Sequence, residues 1–134
     1  MATVVVNGGK GIITNRLKGS GTEPLNIGWG TGAQTTALIT DTTFGPTTVE
    51  KLVDLSTSAG TDHTVGVSTQ QTTTTTNDSY QVTGTRTATG AGAVTVAGLW
   101  DAASGGTLFL KGDFAAINLA SGDSIAFTIK VVFA

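Results

Sequence analysis

Apolar and polar residues alternate most cleanly at the C-terminal end of the sequence, DSIAFTIKVVFA, residues 123–134. Ile125, Phe127, Ile129, Val131 and Phe133 fall on one face, and Ser124, Ala126, Thr128 and Lys130 on the other. A period of two is the signature of a half-buried strand. The strength of the pattern predicts a strand that runs to the last residue and lies centrally in a sheet. Truncating a few C-terminal residues is then expected to unfold the domain. Upstream, GTLFLKGDF (106–114) reads as a strand led by Leu108 and Leu110. AVTVAGLWDA (93–102) reads as another, with Val94, Val96 and Trp100 on one side. The stretches AASGGT and LASGDS between these segments have hairpin-loop punctuation.

The same period runs through the polar middle of the chain. In SYQVTGTRTATG, Tyr80, Val82, Gly84, Arg86 and Ala88 alternate with Gln81 and a threonine at every second position. Asn77-Asp78-Ser79 is good turn chemistry. Residues 64–76 and 79–90 are therefore expected to form an antiparallel pair, with the run Thr72–Thr76 extended as strand and poorly fixed in register. The competing reading is a disordered polar linker. TTVEKLVDLS (47–56) fits a strand or a short helix and is read as strand.

The N-terminal third is less regular. ATVVVNGG reads as a short strand and turn. KGIITNRLKGSGTEP, rich in glycine and positive charge, reads as an arm or long loop. Gly28-Trp29-Gly30 suggests that Trp29 sits at a closely packed bend. No fixed-period repeat is visible. The expected fold is all-β: a single antiparallel β-sandwich, jelly-roll or Ig-like, over 23–134, preceded by an irregular N-terminal arm over 1–22.

Composition sharpens this picture. Among 134 residues are 27 threonines and 19 glycines but only 2 prolines, a bias toward strands and turns. There is no cysteine, so disulfides, thiolate metal sites and cysteine nucleophiles are excluded. Charged residues make up 12% of the chain and the net charge is −2, against a usual charged share of about 25%. Without a basic run, a nucleic-acid surface is not expected. The sequence holds no apolar run long enough for a membrane helix and shows no secretory signal pattern, so the chain is expected to be soluble and intracellular when made. A weakly charged surface of Thr, Ser, Ala and Gly suits packing against other subunits.

Candidate chemistry is thin. His63 is the only histidine. Its neighbour Asp62 would point to the opposite face of a strand, so His63 is expected to be a solvent-facing turn residue rather than a metal ligand. The carboxylates mostly flank Gly, Ser or Thr and read as turn caps. Asp101, Asp113 and Asp123 are placed at strand ends, with no calcium-loop pattern around them. GWGTGA lacks the following helix a phosphate cradle needs. Asn77-Asp78-Ser79 matches a glycosylation sequon but reads as a turn. No catalytic residue, cofactor or metal is assigned, and the chain is not expected to be an enzyme.

Two stretches carry a family resemblance: GWGTGAQTTALITDTTF (28–44) and the run from NDSYQVTGTRTATG through AGLWDAASGGTLFLKGDF to GDSIAFTIKVVFA (77–134). They resemble virion structural proteins of tailed bacteriophages over somewhat more than half of the chain. Arg86 departs from the family pattern, which has an apolar or small residue there. Val96 stands in place of an acidic residue, and Trp100 in place of Phe. The resemblance implies a capsid decoration (cement) protein located on the virion and bound to the major capsid protein. It would be a homotrimer at local threefold points, with no role for nucleic acid, membrane or cofactor. Lys10, Arg16 and Lys18 on the N-terminal arm are the candidate capsid or subunit contacts. A tail-fibre or baseplate component is the alternative. A carbohydrate-binding sandwich is a second one, with Trp29, Tyr80 and Trp100 as a stacking platform.

Overall fold

A computed structural model describes residues 2–56 and 59–133. The elements are β1 (Ala2–Val5), α1 (Asn7–Leu17), β2 (Asn26–Gly32), β3 (Thr48–Lys51), β4 (Thr64–Val65), β5 (Val67–Gln71), β6 (Ser79–Thr87), β7 (Gly92–Trp100), β8 (Leu108–Leu119) and β9 (Ser124–Val132). They form an antiparallel β-sandwich. The larger sheet runs β1-β8-β7-β2-β3, with β4 also on β2, and the smaller one runs β5-β6-β9.

The core between the sheets joins Ile27, Leu99, Phe109 and Leu110 of the large sheet to Val82 of β6, with Phe127, Ile129 and Val131 of β9 packed against them. Trp29, Val94 and Ala88 continue it toward the other end. The chain changes sheets at Gly66, which separates β4 on the large sheet from β5 on the small one. A Cβ at Gly66 would lie 2.6 Å from Val82 Cγ1, so this corner needs glycine. Residues 64–76 are thus not one strand. The expected antiparallel pair exists as β5 with β6, from Val67↔Thr83 to Gln71↔Ser79.

Two bulges set the faces of the large sheet. Pairing of β7 with β8 shifts between Val94 and Val96 and again between Leu99 and Trp100. A bulge inserts a residue and turns the following side chains over. Val94 therefore joins the inter-sheet core, whereas Val96 and Trp100 point to the outer face, where they meet Val6, Phe44 and Leu108. The single face expected for all three is corrected accordingly.

That outer face is covered by the segment between β2 and β3. Phe44, 1% exposed, lies edge-on to Trp100 at 5.6 Å. The glycines around Trp29 make room for these rings: a Cβ on Gly28 would lie 2.9 Å from Trp100 Nε1, and one on Gly30 3.0 Å from Phe44. Trp29 itself is fully buried within a strand, not at a bend, and its Nε1 donates to Leu52 O at 2.8 Å.

The N-terminal region also departs from an irregular arm. β1 pairs with β8, and residues 7–17 form a helix despite three glycines. Glycine disfavours helix, but Gly9 lets the first turn sit directly on β8: a Cβ there would lie 2.2 Å from Phe109 O. Ile12 is buried in the core. The helix ends in a Schellman motif, with Gly19 N donating to Arg16 O and Ser20 N to Asn15 O while Gly19 adopts φ 88°.

The C-terminal segment is a strand with the expected alternation. It lies at the edge of the small sheet rather than its centre and pairs only with β6. Strand pairing ends at Val132, Phe133 is exposed, and Ala134 lies outside the described residues. In 47–56 only Thr48–Lys51 is strand.

Candidate functional site

The buried ionisable groups are the first place to look for chemistry, and each is already bound. Arg86, 1% exposed, projects from β6 into the sandwich. Its Nη1 donates to Ile27 O (3.3 Å) and Thr64 Oγ1 (3.1 Å), and its Nη2 to Lys51 O (3.0 Å) and Asp62 O (2.7 Å). The guanidinium carbon lies 5.1 Å from the centre of the Trp29 ring. Burial brings its pKa down to about 10, against the opposing pull of Glu50 and Asp62, so it stays charged at neutral pH. The departure from the phage family pattern at position 86 is therefore a bolt between the two sheets.

His63 is buried, contrary to the solvent-facing position expected from its sequence context. It stacks on Trp100 at 4.9 Å and 10°. Nδ1 meets Ala102 O at 2.7 Å, and Nε2 meets Glu50 Oε1 at 2.5 Å. With both ring nitrogens engaged, none is left to activate a hydroxyl. Asp62 takes no part, and among the described residues no group of three His, Asp or Glu side chains could hold a metal ion.

Lys111 and Asp113 on β8 anchor the segment over the outer face. Lys111 Nζ donates to Asp41 Oδ2 at 2.8 Å, while Asp113 accepts from Ala37 N (3.1 Å) and Gln34 Nε2 (2.9 Å). Burial opposes ionisation of Asp41, but hydrogen bonds from Lys111 and the Leu38 amide outweigh it and hold the carboxyl below its ordinary pKa. Asp113 lies within β8, not at a strand end. Asp101 and Asp123 do cap turns, accepting from Thr107 N and Ala120 N.

The threonine run is a loop, not a strand. It wraps around Asp78, which accepts the amides of Thr73, Thr74 and Thr75 and the hydroxyls of Thr73, Thr74 and Ser79 at 2.7–3.1 Å. These bonds, led by the Thr75 amide and the Thr73 hydroxyl, hold the carboxyl far below the usual carboxylate range. Asn77 takes φ 60° at the turn. The β5–β6 hairpin therefore has a fixed tip, where a register slip was expected.

The positive side chains Lys10, Arg16 and Lys18 are all exposed on or at the end of α1. At about 100° per residue they fan around the helix rather than forming one stripe. Lys10 Nζ bonds Asn7 Oδ1 and Arg16 Nη1 bonds Gly21 O. Beside them an open groove of about 520 Å³ lies between α1 and the end of the sandwich, lined by Ile12, Tyr80 and Phe109 and bordered by Leu17 and Phe133. Leu17 is 84% and Phe133 54% exposed.

The remaining surface of interest is the outer face of the small sheet. Opposite the inward row, β5 presents Val67, Thr69 and Gln71, β6 presents Gln81, Thr83, Thr85 and Thr87, and β9 presents Ser124, Ala126, Thr128, Lys130 and Val132. Lys130 is the single charge among them. The stacking platform of Trp29, Tyr80 and Trp100 does not exist at the surface: both tryptophans are buried, and the Tyr80 hydroxyl donates to Pro24 O.

Neither the family models, the curated proteins nor the solved structures show a significant match to this chain.

Proposed function

We propose that this chain is a structural protein of a tailed-bacteriophage particle: a decoration or cement subunit that binds the major capsid protein and stabilises the shell, in oligomeric form. One observation carries the reading. The buried polar and charged side chains described above hold loops and sheets in place, while the exposed small sheet offers a flat face of hydroxyl, amide and methyl groups with a single charge. That is a rigid body suited to adhesion. The resemblance of 28–44 and 77–134 to virion structural proteins supports the same role. Lys10, Arg16 and Lys18, presented by a helix seated on β8, are proposed as its capsid contacts.

The test is addition of purified protein to capsids assembled without it. Saturable binding at on the order of hundreds of copies per particle is expected for a lattice-bound subunit. Replacing Lys10, Arg16 and Lys18 together by Glu should weaken it about tenfold or more. Undiminished binding would remove the helix from the contact. Absence from heads, with a few to a few dozen copies on tails, would replace this reading with a tail component.

A further inference from the structure

We propose that β9 is an assembly edge, pairing antiparallel with β9 of a second copy of this chain about a two-fold axis at Thr128 and joining two small sheets into one of six strands. The inference is independent of the capsid reading and of any threefold contact made on a shell.

The backbone shows which groups are free. Ala88 N donates to Asp123 O and Phe133 N to Asp78 O, both at 2.8 Å, at the two ends of the β6–β9 ladder. Backbone groups alternate sides along a strand, so the odd-numbered residues between them turn toward β6. Ser124, Ala126, Thr128, Lys130 and Val132 turn their N–H and C=O groups away from it, toward a side where no strand lies among the described residues.

This edge also lacks the usual protection. Edge strands are normally kept short, bulged, prolined or charged. β9 has nine residues, an unbroken register with β6, no proline and one charge. The other edges are β5 with five residues, β1 and β3 with four each and β4 with two.

The strand is complementary to itself. Centring the two-fold on Thr128 overlaps the whole of Ser124–Val132 and pairs outward-turned residues with one another: Ser124 with Val132, Ala126 with Lys130 and Thr128 with its own copy. Each such pair exchanges two backbone bonds. On the inner face Ile129 lies beside Phe127 of the second copy and Val131 beside Ile125 of the second copy. All four are only partly buried in the single chain. Lys130 faces an alanine, and four residues at about 3.4 Å keep the two lysines about 14 Å apart, beyond the ~8 Å screening length.

Size sets the strength. A nine-residue edge is about 31 Å long and about 10 Å thick, so about 300 Å² of flat edge is covered per copy. A standard interface covers ~800 Å² per partner. A reversible dimer is expected, strengthened wherever copies are held close together.

Sedimentation of the purified full chain from low micromolar to about 1 mM reads this directly. The expected result is a concentration-dependent doubling of mass. Thr128→Lys sets two charges against each other at the axis and should weaken association at least tenfold. Thr69→Lys, on the opposite edge strand of the same sheet, should leave it unchanged. In this cysteine-free chain, Thr128→Cys should yield a disulfide-linked dimer under mild oxidation, since facing Cα atoms in such a pair lie about 5.5 Å apart. Thr69→Cys should not. Circular dichroism confirms that each variant is folded. A wild-type chain that stays monomeric to about 1 mM overturns the proposal. So does an oligomer that Thr128→Lys leaves intact or that Thr69→Lys weakens equally.

Discussion

The two sheets differ in how completely they are enclosed. The large sheet is covered on both faces, by the small sheet on one side and by the segment over Phe44 on the other. Its edges are two to four residues long, and its buried Lys111, Asp113 and His63 are all bound. The small sheet is covered on one face only, and one edge is open over nine residues. One half of the molecule is built to hold its shape, and the other leaves its surface available. Adhesion needs both, because a flat face binds well only if its support does not yield.

Arg86 joins the two halves, so removing it should break the comparison most severely. Arg86→Met strands the carbonyls of Ile27, Lys51 and Asp62 inside the sandwich. On the order of 3–4 kcal/mol of stability should be lost in urea unfolding, a large part of the 5–15 kcal/mol typical of a domain. Phe44→Ala tests the outer cover alone. It empties the space kept by Gly30 and Gly98 and should cost about 3 kcal/mol, while the open face of the small sheet is untouched. Lys111→Met sharpens the point, since it leaves Asp41 half-buried without its cation. A loss of about 1–3 kcal/mol is expected, with faster amide exchange confined to residues 33–45.

Acid should act on the hairpin tip. The folded Asp78 carboxyl is held below its unfolded value, so below pH ~4 the unfolded chain takes up a proton that the folded one resists. Stability from this site is full above that pH and falls as pH drops further. Unfolding curves between pH 5 and pH 2 should show the slope, and Asp78→Asn should flatten it. The lowered carboxyl of Asp41 contributes in the same direction. The smallest effect belongs to the open face: Thr85→Val, exposed in mid-strand, should change stability by no more than about 0.5 kcal/mol.

The strands of the C-terminal half were legible because alternation is a local property, and Ile125 to Val131 do form one inward row. Their neighbours were not, because pairing is set by distant segments: the strongest pattern belongs to an edge strand, not a central one. Helix α1 was hidden by Gly8, Gly9 and Gly11, although Lys18-Gly19 after Leu17 is a readable helix stop. The bulge that separates Val94 from Val96 leaves no local mark. The threonine run misled because its β propensity is overridden by one carboxylate, Asp78, that collects three successive amides. His63 misled for a related reason: its flanking residues are polar, but its ring is received by Trp100, Glu50 and Ala102 from elsewhere in the chain.

Site-resolved amide hydrogen exchange on dilute protein tests the contrast between the sheets most directly. Interior amides of β2, β7 and β8 should exchange only on global unfolding. On β9 the odd-numbered amides should be protected and those of Ser124, Ala126, Thr128, Lys130 and Val132 should exchange fast, slowing as concentration rises. Uniform protection along β9 in dilute solution, or rapid exchange across β7 and β8, would contradict the division into a closed half and an open one.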